Sequence, residues 1–140
     1  MVGGLVGYSY EGSTIRNSYS TASVNGITGG LTGGLVGFLY NSHILNSYST
    51  GSVVTTSTSR GGLLGDKGGN AYSIIDSFYD KETSGQSDTG KGTGKTTAEM
   101  TTLATFTDTA TTGLSTSWDF NSIWNIDTSG TINSGYPYLR

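Results

Sequence analysis

An all-β parallel β-helix, or β-solenoid, of about three coils with a C-terminal cap containing a short helix is the fold this sequence predicts. Three observations point to it. The first is repetition: Gly3-Gly4-Leu5-Val6-Gly7 returns as Gly33-Gly34-Leu35-Val36-Gly37 and as Gly61-Gly62-Leu63-Leu64-Gly65, starting 30 and then 28 residues later. Asn17-Ser18-Tyr19 likewise returns as Asn46-Ser47-Tyr48 and Asp76-Ser77-Phe78, so apolar, glycine and Asn/Ser positions stay in phase at a period near 29. The second is composition: 33% hydrophobic residues with 23 glycines in 140 residues is thin for a conventional core. A solenoid manages on less, because each coil buries its inward residues against its neighbours. Helical repeats would suffer from so many glycines and β-branched residues. The third is that the pattern stops after Asp80, and both tryptophans and the only proline fall in the tail.

The repeats span about 2–30, 31–59 and 60–80. In the first, Tyr8-Ser9-Tyr10 leads to a turn at Glu11-Gly12-Ser13, and Thr14 to Val24 is rich in β-branched and aromatic residues, as strands are. Asn25-Gly26 is a turn dipeptide. The second copies this plan, with a turn at Asn41-Ser42 and a long strand from Ile44 to Val54; the third has a wider turn over 66–70 and a strand from Ile74 to Tyr79. Superposing the repeats gives ladders: Leu5, Leu35, Leu63; Ile15, Ile44, Ile74; Val24, Val53; and the aromatic column Tyr19, Tyr48, Phe78. Asn17, Asn46 and Asp76 form a polar column whose amides are expected to bond along the stack, with Asp76 facing a different neighbour. The glycine columns are expected to supply positive φ or close backbone approach. Residues 81–95 read as a polar surface loop and 96–140 as the cap, covering an otherwise open solenoid end. Within the cap, Thr96 and Glu99 have capping-box spacing for a helix over 96–102 with Met100 and Leu103 inward, and the segments at Trp118 and Ile123 alternate like two short strands.

A net charge of −3 offers no basic face for nucleic acid. Between Met1 and Arg60 only Glu11, Arg16 and Arg60 are charged, so neighbouring copies repel one another weakly. Without cysteine there are no disulfides, thiolate metal sites or cysteine nucleophiles. No apolar run reaches the ~18 residues of a membrane span, and the chain opens directly against a repeat, as a piece of a longer protein would.

No catalytic, cofactor or metal residues are expected. The run from Gly90 to Thr96 imitates a phosphate loop, but Thr89 stands where its first glycine belongs. His43 is the sole histidine, in a turn, and reads as exposed and uncommitted. Asp80, Glu82 and Asp88 lack calcium-loop spacing, and Asp119 and Asp127 fit turns better than a glycosidase pair. The aromatic column is read as a half-buried structural ladder rather than a sugar-stacking platform. Ser18, Ser47, Ser77, Thr21 and Thr50 are read as turn and strand residues rather than an ice-binding array.

GGLVG followed by Asn-Ser-Tyr-Ser-Thr-Gly-Ser-Val resembles the GLUG motif of large bacterial surface proteins, filamentous haemagglutinin-like adhesins among them. The tail, with Thr83 to Ser87, Thr96 to Met100, Trp118-Asp119-Phe120 and Gly135 to Leu139, is similar to the ending that follows such repeats. Leu64, Asp76 and Phe78 depart from the motif in the third repeat. The resemblance implies a non-catalytic, extracellular or cell-surface structural or adhesive segment, its signal and anchor outside this chain. Its partners would be itself or surface glycans, with no membrane insertion. Two alternatives stand beside it: a filament subunit joined through solenoid edges, and a carbohydrate-binding or carbohydrate-active β-helix.

Overall fold

A computed structural model describes all 140 residues, Met1–Arg140. Each repeat forms one coil of short strands. The first holds Val2–Gly3, Val6–Tyr10, Thr14–Arg16, Tyr19–Ser20 and Val24–Asn25. The second holds Thr32–Gly33, Val36–Tyr40, His43–Leu45, Tyr48–Ser49 and Val53–Val54, and the third Arg60–Gly61, Leu64–Gly68, Ser73–Ile75 and Phe78–Asp80. Every strand of the coils pairs in parallel with its counterpart one coil away: Val36 with Val6 on one side and Leu64 on the other, Ile44 with Ile15 and Ile74, Tyr48 with Tyr19 and Phe78, and Val53 with Val24. The Leu5 N–H donates to the Leu35 carbonyl at 3.0 Å and the Leu35 N–H to that of Leu63 at 2.9 Å, so the leucines stack one per coil. The architecture is a three-coil parallel β-helix.

The spacing between partners is not constant. Tyr10 pairs with Tyr40, 30 residues on, but Thr14 pairs with His43, only 29 on. Tyr40 pairs with Gly68 at 28 and His43 with Ser73 at 30, so the corner between these strands takes up the slack.

Inside the coils, Leu35, Val36, Leu39, Ile44, Leu63, Leu64 and Tyr79 make one buried cluster. The repeat glycines are there for close approach. A Cβ on Gly33 would lie 2.0 Å from the Val36 carbonyl oxygen, and one on Gly34 2.1 Å from that of Gly62. Positive φ falls instead on Asn17, Asn46 and Asp76, at 48° each. Asn and Asp tolerate this left-handed conformation better than other non-glycine residues. The long strands expected over 14–24 and 44–54 are each broken into three short ones, the first break falling at this bend.

The expected asparagine ladder is replaced by a serine ladder one residue on. The Ser18 N–H donates to Ser47 Oγ and the Ser47 N–H to Ser77 Oγ, both at 3.2 Å. Each hydroxyl donates in turn to the carbonyl two residues back, on Arg16, Leu45 and Ile75. The amides of Asn17 and Asn46 take no part. An asparagine that does link coils is Asn41, which donates to Glu11 and accepts from the backbone of Asn70 and Ala71.

Residues 81–95, expected as a loop, contain two ordered pieces. Buried Asp80 caps the helix Lys81–Ser84, accepting from the N–H groups of Glu82 and Thr83. The strand Thr93–Lys95 then pairs in parallel with Phe78–Asp80, as the start of a fourth coil. The segment leading into it crosses the end of the third coil. Gly62 N–H donates to Asp88, the Tyr79 hydroxyl to the Asp88 carbonyl, and Lys91 Nζ to the carbonyls of Arg60 and Gly65.

The tail beyond it lies along the side of the solenoid rather than over its end. Met100, Phe106, Leu114, Trp118, Trp124 and Tyr136 pack on Tyr48 and Phe78 as a second core, with Tyr19 partly covered. The capping box of Thr96 and Glu99 starts the helix Thr97–Met100 with Met100 buried. A second helix, Ala104–Thr107, follows at once, which leaves Leu103 41% exposed at the joint instead of inward. Trp118–Phe120 is not a strand, since Trp118 turns into the core with its indole N–H donating to the Asp76 carbonyl at 3.0 Å. Trp124–Asn125 pairs antiparallel with Tyr138–Leu139.

Candidate functional site

The aromatic column is where the solenoid meets the tail. Tyr19 and Tyr48 are stacked with centroids 5.2 Å apart and planes 4° from parallel, while Phe78 meets Phe106 edge-on at 5.7 Å. Tyr48 and Phe78 are fully buried and present no ring face to a sugar, while Tyr19 on the first coil is half-buried. Two carboxylates fasten the tail to the third coil. Asp76, where the earlier repeats have asparagine, accepts from the N–H and hydroxyl of Ser115 and from the N–H of Thr116. Asp80 accepts from the hydroxyls of Thr97 at 2.7 Å and Tyr136 at 2.6 Å, beyond the two helix N–H groups it caps. Asp80 is thus spent on structure, as is His43, which lies half-buried in a strand with Nδ1 2.8 Å from Ser73 Oγ.

Burial of phenols at this junction and inside the coils sets a pH limit on the fold. Burial is the main cause raising the Tyr79 and Tyr136 hydroxyls to about 12, with Asp88 and Asp80 adding to it, and burial raises Tyr48 further. An unfolded tyrosine ionises near ~10. The folded form therefore holds these protons more tightly, and their stabilising contribution is complete below pH ~10 and lost as the pH climbs towards about 12. The melting temperature is expected to fall steadily across that window. The phenolate absorbance of these three residues should appear together with loss of circular dichroism rather than before it.

The remaining sequence candidates scatter. No three His, Asp or Glu side chains converge on a point that would hold a metal ion. Asp119 accepts from the N–H groups of Asn121 and Ser122 and from the Ser122 hydroxyl, and Asp127 from Ser129, Thr131 and Ile132. Those bonds, led by the serine hydroxyl in each case, lower both acids, Asp127 to about 2. Gly90 to Thr96 is strand and end-seal: Lys67 Nζ donates to the Gly90 carbonyl, and Lys95 is buried.

Three surfaces remain free to meet a partner. On the first coil Leu5 is 51% exposed, although Leu35 and Leu63 are fully buried. On an outer sheet face Tyr8 stacks on Phe38 and Tyr10 on Tyr40, with centroids 5.6 and 5.5 Å apart, a patch that period-matching of the repeat cores left unnoticed. Between the Asn corner and the tail runs a groove of about 320 Å³ lined by Arg16, Asn17, Asn46, Thr116, Asp119 and Ile123, among others. No helix is long and apolar enough to cross a membrane.

The comparisons with known proteins follow the coils. The family model described as the GLUG motif matches residues 1–25 and 28–54, which are the first and second coils. A protein of Evansella cellulosilytica named as a Gly-rich membrane protein is 40% identical over 130 residues, covering 90% of this chain and 14% of its own length. The chain therefore spans about one seventh of that relative. No solved structure matches it. Motif and register agree over the first two coils, which carry the GLUG motif, and the chain as a whole is similar to the Evansella protein.

Proposed function

We propose that this chain is a non-catalytic structural and adhesive segment of an extracellular bacterial surface protein. The observation that carries the reading is the division of labour between its polar groups and its faces. The serine ladder, Asn41, Asp76 and Asp80 are all spent on holding coils and tail together, while aromatic and amide-bearing surfaces stay open on the outside. A stack of this kind presents the same surface at each ~4.8 Å step, which suits repeated weak contacts. The name of the Evansella relative supports a membrane-associated setting for the parent protein.

The exposure of Leu5 and Met1 on the first coil favours a second reading, association between copies. Strand edges beside exposed Leu5 and Met1 invite strand addition. The third coil is sealed by Asp88 and Lys91, so like ends pair more readily than unlike ones, and pairs are favoured over a head-to-tail filament. One experiment with two readouts tests both. Beads carrying the chain should adhere to a cell or polysaccharide surface more than beads carrying an unrelated β-solenoid, and failure to do so would reject the adhesive role. Sedimentation over a concentration series should show dimers that Leu5→Lys disperses; a strict monomer would reject association.

A further inference from the structure

We propose that the groove between the Asn corner and the tail is a binding site for a neutral saccharide chain. The inference deepens the adhesive reading and rests on it for its biological setting.

The argument begins with polar groups the fold leaves uncommitted. Asn17 and Asn46 sit half-buried on one wall, on consecutive coils, and neither amide makes a hydrogen bond within the chain. That contrasts with Asn41, at another corner, whose amide is fully used between coils. The Arg16 guanidinium adds free donors to the same wall. Thr116 offers its hydroxyl from the opposite side, and Asp119 lines the groove beside it. Ile123 supplies the one apolar surface.

The chemistry of this set selects its ligand by elimination. An anion would meet the Asp119 carboxylate, kept ionised by Ser122 and Asn121 and with no free proton to give. A cation would meet Arg16, and the second carboxylate on the lining, Asp76, already has both oxygens taken by Ser115 and Thr116. An apolar ligand would find a single apolar residue to pack on. A neutral polyhydroxyl chain fits all three conditions. Each amide offers a donor and an acceptor side by side, which matches adjacent hydroxyls, and Ile123 matches the C–H face of a ring. The two amides repeat at the ~4.8 Å coil spacing, so they engage an extended chain rather than one isolated sugar.

The asparagines also have a backbone duty, since both stand at φ 48°, and this allows a clean test. Glycine adopts that conformation freely. Asn17→Gly and Asn46→Gly therefore remove the amides and keep the corner, which a melting curve verifies. The probes are cello-, chito-, manno- and xylo-hexaose, with polygalacturonic acid as the anionic comparison, titrated against the whole chain. Binding of at least one neutral hexaose is expected, weakened at least about tenfold in the double variant at unchanged melting temperature. Absence of binding to every neutral hexaose, binding only to polygalacturonic acid, or binding that survives the double variant would overturn the site. Bead adhesion measured in parallel keeps the two readings apart: adhesion that persists in the double variant leaves the adhesive role standing and removes the groove from it.

Discussion

Gly37→Ala is expected to destroy the fold at ambient temperature, while Gly7→Ala in the same column melts like the parent. The added Cβ at Gly37 would lie 2.5 Å from the Gly7 carbonyl oxygen and 2.9 Å from both N and O of Val2. Those are backbone atoms of paired strands, which cannot rotate away as a side chain would. Relief requires the first and second coils to separate, and that breaks the ladder on which each depends. Overpacking of ordinary cores costs about 1–3 kcal/mol; with a rigid backbone on the far side, the loss here exceeds about 3 kcal/mol, a large share of the total for a domain of this size. At Gly7 the nearest atom is the Met1 carbonyl oxygen at 3.5 Å, an ordinary contact, because no coil stands beyond it. Thermal melts of the two variants side by side check the pair. Equal stability would mean that the coils are not stacked in this register.

Trp118→Ala is expected to cost about 3–5 kcal/mol, the range for removing a large buried aromatic ring. Trp118 touches most of the second core: its ring centroid is 4.7 Å from that of Trp124, 4.8 Å from Phe106 and 6.0 Å from Phe78. Its indole N–H also satisfies the Asp76 carbonyl, so truncation leaves a buried acceptor orphaned beside the cavity. The tail should loosen before the coils do. Hydrogen exchange would show this as faster exchange over residues 96–140 than over the interior strands around Leu35 and Ile44. A uniform change across the chain would mean that tail and solenoid form a single cooperative unit.

Much of the solenoid was legible in the sequence because its period is carried by residues with one physical job each. Leucine, isoleucine and valine columns predict inward positions, and the register of Ile15, Ile44 and Ile74 follows from the 29-residue spacing. Finer choices were not legible, because neighbouring polar residues compete for the same role. Asparagine and serine stand side by side at positions 17–18 and 46–47, with aspartate and serine at 76–77, and either neighbour is able to bridge coils. Backbone conformation decided between them: the corner needs a left-handed residue, which fixes the asparagine, and the serine hydroxyl is then the one placed to bond along the stack. The lateral course of the tail escaped for a different reason. Its tryptophans have no periodic partner in the sequence, and their contacts with Tyr48 and Phe78 lie 40 or more residues away. The groove is formed by that same long-range contact, so Arg16, Asn17 and Thr116 could be joined only once the tail was in place.

The uneven spacing between coils has a consequence for how such a molecule changes over generations. Within the strands every residue has a fixed counterpart, and an insertion there would slide leucine, glycine and serine out of line together. The corner after Tyr10, Tyr40 and Gly68 already accommodates one residue fewer in the second coil than in the first, and two more in the third than in the second. New sequence can therefore accumulate at that rim without touching the interior, and lineages of this architecture should differ in length there while their strands remain the same size.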